Sequence, residues 1–212
     1  MMLVPIIYTL ASFVASATGI INRHRSRAAW WVAAWCTWGI TGNLTSLSFS
    51  LRSQNNHWMN YVWPPVETLL VGAAAWWFFA EKPSWRRAAT IGAVLITATG
   101  IVLALTVESF TTFSAYSEPL HKFYGGAVGI VLVAASIGAG DRSPIWNAAA
   151  WVGIAWVMIY IPTIAITPVA RLIYGADPGA SLAPLFVSFS IEILGMLLIA
   201  TAFVWRRVEW TR

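Results

Sequence analysis

Residues 57–80 read HWMNYVWPPVETLLVGAAAWWFFA, an apolar run interrupted near its middle by two prolines and a carboxylate. About 20 apolar residues suffice to cross the ~30 Å hydrocarbon core of a bilayer as a helix, so the run has the length of a membrane span. Pro64 and Pro65 lack the N–H groups that would bond the carbonyls of Asn60 and Tyr61. Lipid tolerates such a break where the freed groups face protein, water or a cavity. The expectation is a helix split at the double proline. Glu67 then stands in the first turn of the second half, near the positive end of its dipole. A plain kink that serves packing is the other reading.

Runs of the same kind recur on both sides. They fall near 2–21, 28–50, 58–80, 87–107, 121–140, 145–168 and 182–205, separated by NRHRSR, RSQNN, EKPSWRR, ESFTTFSAYSEP, GDRSP and YGADPGAS. The expected fold is all-α, a single domain over residues 1–212 forming an integral membrane bundle of seven transmembrane helices. Composition agrees: of 212 residues, 58% are hydrophobic and 10% charged, too apolar for a soluble domain. A lone cysteine, Cys36, excludes an intramolecular disulfide.

Charge sets the expected orientation. ASA at 15–17 mimics a signal-peptidase site, but no basic residue precedes the first apolar run and RHRSR follows it. That order predicts an uncleaved anchor with its N-terminus outside. The inner side then holds Arg23, Arg25, Arg27, Lys82, Arg86, Arg87, Arg142, Arg206, Arg207 and Arg212, and the outer side only Arg52, Lys122 and Arg171. This asymmetry follows the positive-inside rule and puts the C-terminus in the cytoplasm. The net charge of +5 is therefore read as membrane topology and not as nucleic-acid binding. A bacterial inner membrane or its equivalent is the expected location.

Tryptophan is abundant, with 14 copies. Trp30, Trp31, Trp76, Trp77, Trp85, Trp146, Trp205 and Trp210 fall near the inner boundary and read as an aromatic belt. Trp35, Trp38, Trp151 and Trp156 lie deeper, and Trp63 lies in the outer half of the third span. These either pack the bundle or line a cavity.

Only Glu67 and Glu192 of the eight acids lie well inside spans. A carboxyl at bilayer depth costs several kcal/mol unless paired, solvated or protonated, and so marks a functional site or a structural interhelical hydrogen bond. Each acid is about ten residues into a span of the same direction, roughly 15 Å below the outer boundary. If spans 3 and 7 adjoin, the acids share a layer, and at least one is expected to keep its proton. Other polar groups cluster in that half: Asn43, Thr45, Ser46, Ser48, Asn60, Tyr61, Tyr160, Thr163, Thr167, Ser188 and Ser190, with Tyr8, Ser12 and Tyr124. Asn60, Trp63 or Pro64, and Glu67 share one stripe, as do Ser188 and Glu192. A polar-lined pocket capped by the outer loops is the expectation, with Trp38, Trp63, Asn43, Asn60, Tyr160 and Ser188 binding substrate.

Several classes fit poorly. A retinal protein needs a lysine in its last span, and the only lysines are Lys82 and Lys122. His24, His57 and His121 stand apart from the two acids in sequence and show no metal-ligand spacing. No Pro-Gln pair of the seven-span sugar transporters occurs.

NYVWPPVETLL and SFSIEILGML place one acid in the third span, after a tryptophan, and one in the last. In this the chain resembles the membrane-integral terpene cyclases of meroterpenoid and indole-terpenoid pathways, which are small seven-span proteins. That family commonly sets Trp directly beside the first acid, whereas two prolines and Val66 intervene here. The resemblance implies cyclisation of an isoprenoid substrate initiated by protonation, without cofactor or metal. Glu67 and Glu192 would be acid and base in either order, and indole faces would stabilise passing cations. The competing reading is a non-enzymatic sensor, a ligand-binding protein, or a subunit of a complex with partner membrane proteins. A transporter is a third.

Overall fold

The computed structural model describes residues 3–52, 54, 56–108, 114–138, 144–176 and 182–210. Asp141, Arg142, Asp177 and Arg212 lie outside these residues, as do the side chains of Thr167 and Arg171. Among the described residues the chain forms seven α-helices: α1 (Leu3–Asn22), α2 (Arg27–Leu51), α3 (Met59–Phe78), α4 (Pro83–Thr106), α5 (Ser117–Ile137), α6 (Ala148–Ala176) and α7 (Leu182–Val204). Short 3₁₀ turns occupy Arg23–Arg25 and Pro144–Trp146. Among the described residues four segments are long and apolar enough to cross a membrane: α4, α5, Ala148–Ile166 of α6 and Phe186–Val204 of α7.

The double proline does not split α3. The helix is continuous from Met59 to Phe78 with Pro64 and Pro65 inside it. Glu67 therefore stands in a helix interior and not in a first turn, and the dipole argument for it falls. The lost bonds are confined to two carbonyls near the start of the helix, a local cost the packed neighbours absorb. Likewise α6 runs through Pro162 and Pro168 to Ala176, beyond the expected stop. Two helices start earlier than expected. Pro83 opens α4 and Pro119 lies in the first turn of α5, where a missing N–H costs nothing because those donors have no intrahelical acceptor.

Six helices close a ring in which α1 packs on α2 and α7, α2 on α3, α3 on α5, α5 on α6, and α6 on α7. Helix α4 lies outside the ring, against α3 and α5. It buries Ala89, Ala93, Gly100 and Ala104 on one stripe and exposes Ile91, Val94, Leu95, Ile101, Val102 and Leu105. Small residues inward and branched ones outward suit a helix that meets protein on one side and lipid on the other. Backbone meets backbone where α5 crosses α6. A Cβ on Gly129 would meet the Gly153 carbonyl at 2.8 Å, and one on Gly153 would meet the Gly129 carbonyl at 2.7 Å.

The end of the bundle that gathers the C-terminus of α7 is tied shut. Arg25 donates to the carbonyls of Ala202, Phe203, Trp205, Arg206 and Val208, satisfying acceptors that the end of α7 leaves open. The following segment runs beside the start of α6, where Glu209 and Trp146 or Ala148 exchange backbone bonds. Trp210 is not part of a surface belt, as the sequence led us to expect. It is 7% exposed, stacked on Phe203 and Phe78, with its indole N–H on the Ala202 carbonyl. Trp76, Trp77, Trp85 and Trp146 instead carry cations on their faces: Arg86 over Trp76 and Trp77, Arg27 over Trp77, Lys82 over Trp85 and Arg207 over Trp146.

Candidate functional site

Glu67 projects from α3 into the ring. Its Oε1 accepts from the Tyr160 hydroxyl of α6 at 2.9 Å, and its Oε2 accepts from Lys122 Nζ of α5 at 3.4 Å. Tyr160 in turn accepts from the Trp35 indole of α2 at 2.8 Å. The ammonium of Lys122 also lies 5.3 Å from the centroid of the Tyr160 ring. The charge pair is partly buried, with 18% of the Lys122 side chain and 19% of the Glu67 side chain exposed. Lys122, assigned from sequence to an outer span end, thus turns inward onto one of the two acids. Sequence alone gives no sign of this, because a lysine early in a helix ordinarily reaches for the boundary.

Tyr160 has room at this position because Gly125 faces it. A Cβ there would fall 2.2 Å from Tyr160 Cε2. Trp35 packs edge-on against both Tyr160 and Trp156, and Trp156 is fully buried. Trp35 and Trp156 therefore pack the bundle.

Glu192 projects from α7 and is 9% exposed. Its Oε1 receives the Ser188 hydroxyl from one turn earlier at 2.8 Å and lies 3.4 Å from Thr163 Oγ1 of α6. Tyr8 of α1 bonds both Glu192 and Asn43, and Asn43 also donates to Ser12 at 3.3 Å. The second acid therefore sits among hydroxyls, with no cation bonded to it among the described residues.

Helices α3 and α7 are not packed side by side. The two acids are joined instead through α6, whose Tyr160 and Thr163 stand on one face. Residues three apart differ by about 4.5 Å along a helix axis, so the bonds to the two carboxyls differ in level by less than one turn.

The other expected site residues divide. Trp38 and Trp63 stack with centroids 4.8 Å apart, and each indole N–H donates to the other's carbonyl, at 3.2 and 3.3 Å. They form a self-contained clasp between α2 and α3. Asn60 is half-buried on α3 and bonds neither acid among the described residues. Tyr124 donates to the Ala89 carbonyl at 2.7 Å and so faces α4. Ser190 is exposed and bonds its own helix at Phe186. His121, which the sequence did not single out for the site, is 4% exposed and lies 2.7 Å from Thr68 Oγ1 through Nδ1, beside the Lys122–Glu67 pair.

A polar pocket around the acids was expected. Two cavities, of about 350 and 930 Å³, are lined by neither Glu67 nor Glu192, nor by any expected substrate-binding residue. Around the acids stand the side chains of Tyr8, Trp35, Lys122, Tyr160 and Thr163, in the contacts described above. Among the described residues no three His, Cys, Asp or Glu side chains gather as a metal site.

Fold and site together define an all-helical, membrane-type protein with two interior carboxyls in unlike surroundings. No known protein family, curated protein or solved structure matches the chain.

Proposed function

We propose that the chain is a seven-span membrane protein, N-terminus outside and C-terminus in the cytoplasm, whose two carboxyls perform acid–base chemistry on a lipid-soluble substrate. The reading extends to cyclisation of an isoprenoid, as in the terpene cyclases it resembles. The topology rests on the distribution of Lys and Arg and on the four apolar helices. Reporter fusions at the C-terminus and in the loop between α2 and α3 test it, and opposite locations are expected.

The observation that carries the chemistry is the unlike bonding of the two acids along α6. Both oxygens of Glu67 accept, one from an ammonium and one from a phenol. Thr163 has one hydroxyl proton and two oxygen neighbours, Ile159 O at 2.6 Å and Glu192 Oε1 at 3.4 Å. Glu192 accepts from the Ser188 hydroxyl, lies near that of Thr163, and has no cation bonded to it among the described residues, so a charge on it would lack the partner that Glu67 has. Glu192 is then the proton donor and Glu67 the anion that stabilises charge or accepts a proton, the division of labour a carboxyl pair needs. Turnover of a prenylated substrate by wild type, Glu67→Gln and Glu192→Gln tests this. Glu192→Gln should abolish it, and full turnover by both variants would end the two-acid mechanism.

The interhelical bonds of both acids favour a second reading, a sensor or subunit in which the acids fix helix positions. Copurification with a stoichiometric ligand or partner, without turnover, is its expected result.

A further inference from the structure

A groove of about 350 Å³ runs between α2, α3 and α4, beginning on α3 at Leu69, two residues after Glu67, and reaching Trp77 at the arginine-rich end. Trp31, Leu69, Ala73, Trp76, Trp77 and Val94 line it. Its walls are almost wholly apolar, and Thr90 is the one hydroxyl among them. Helix α4 is among the segments apolar enough to span a membrane, and Val94 is 54% exposed on it. The groove therefore opens on the side that faces lipid.

Cations crown one end of it. Arg27 lies one turn before Trp31 on α2, and Arg86 one turn before Thr90 on α4, so each basic residue stands above a groove residue of its own helix. The Arg27 guanidinium carbon is 4.5 Å from the Trp77 ring centroid, and that of Arg86 is 3.7 Å from Trp76 and 5.5 Å from Trp77. The indoles that floor the groove thus hold both guanidiniums close to one end of it. Arg86 is partly exposed, so its guanidinium is reachable from outside the bundle. Two guanidiniums over an apolar slot match a phosphate attached to a hydrocarbon chain.

We propose that this groove binds one anionic phospholipid, its chain between α3 and α4 and its phosphate on Arg27 and Arg86. The site is independent of the acid–base reading, since it shares no residue with it. Basic residues near a leaflet surface favour anionic lipid, so preference for such lipid should be the measurable property.

The test uses the full chain in detergent, titrated with phosphatidylglycerol or with phosphatidylcholine of the same chains, and native mass spectrometry. Wild type should hold one phosphatidylglycerol, about tenfold or more tighter than phosphatidylcholine. The double variant Arg27→Gln, Arg86→Gln should lose that preference. Ala73→Phe and Val94→Phe fill the groove and keep the arginines. Val94 is exposed, so its substitution leaves the helix packing intact, and circular dichroism confirms the fold of each variant. Loss of bound phosphatidylglycerol in a folded groove-filled variant supports the site. Equal affinity for the two lipids, or undiminished binding by folded Val94→Phe, overturns it.

Discussion

Tyr160 and Thr163 stand three residues apart on α6, and each meets a different interior acid. Tyr160 bonds Glu67 at 2.9 Å and Thr163 lies 3.4 Å from Glu192. One helix face therefore holds two carboxyls whose own helices are not packed together. This makes α6 the element on which the relative position of the acids depends.

Tyr160→Phe removes one hydroxyl but two bonds, because that oxygen also accepts from Trp35. It leaves a buried indole N–H and a carboxylate oxygen without their partners. Leaving buried groups unsatisfied costs about 1–3 kcal/mol. A fall in thermal midpoint in detergent is expected, with helix content unchanged. An unchanged midpoint would show that water replaces the hydroxyl.

Gly125→Ala reaches the same bond from behind. The added Cβ would fall 2.2 Å from the Tyr160 ring, so ring or helix must move. Overpacking of this kind costs about 1–3 kcal/mol. A ring pushed aside by the Cβ has already lost the hydroxyl bonds that Tyr160→Phe removes, so Gly125→Ala combined with Tyr160→Phe should destabilise by clearly less than the sum of the single effects. Additivity, measured by the same melts, would place the strain elsewhere.

Lys122→Met removes the only cation bonded to Glu67 among the described residues. The cost comes from the carboxylate it strands. Lys122→Met with Glu67→Gln should therefore be more stable than Lys122→Met alone. With the pair near one-fifth exposed, solvent screens it, and a coupling of about 1–2 kcal/mol is expected from a double-mutant cycle. Zero coupling would reduce the ion pair to a surface contact.

The sequence showed helices where apolar runs were long, and it drew attention to Glu67 and Glu192 because acids are rare in such runs. It did not show what joins them. Lys122 reads from sequence as a boundary residue, and only the packing of α5 on α3 turns it inward. Tyr160 was legible as one polar group in a cluster, but not as the partner of Glu67, 93 positions away. The prolines misled because backbone chemistry predicts two lost bonds and says nothing of whether the neighbours keep the helix continuous. Trp210 misled in the same way: its place near the C-terminus resembled a belt position until Phe78 and Phe203 enclosed it.

Arg25 should be worth more than a surface arginine. Its fork serves five carbonyls at the end of α7 and in the segment after it. Burial lowers the guanidinium from its ordinary pKa, and arginine stays charged regardless. Arg25→Lys keeps the charge but offers one point donor in place of a planar fork. Lysine should therefore restore little of what Arg25→Ala loses. Limited proteolysis from the C-terminus reads this directly, with faster cutting near Trp205 in both variants. Full protection in Arg25→Lys would mean that charge and not geometry fastens the end.

Glu108 closes the start of α5 and provides a pH test outside the spans. Its carboxylate receives the hydroxyls of Ser114 and Ser117 and the backbone N–H groups of Ala115, Tyr116 and Ser117. Burial pushes its pKa up. The bonds from Ser117, Tyr116 and Ala115 outweigh that and hold it below the ordinary value. A carboxyl depressed in the folded state stabilises above its unfolded pKa, about 4.3 for glutamate, and loses that contribution as pH falls through the folded value. Glu108→Gln keeps one acceptor oxygen and loses the charge. The stability gap between wild type and Glu108→Gln should be full near neutral pH and shrink below about pH 4. Other acids titrate alike in both proteins, so the difference isolates this group. Melts across that range check it, and a gap that stays constant with pH would show that the charge of Glu108 contributes nothing to holding α5.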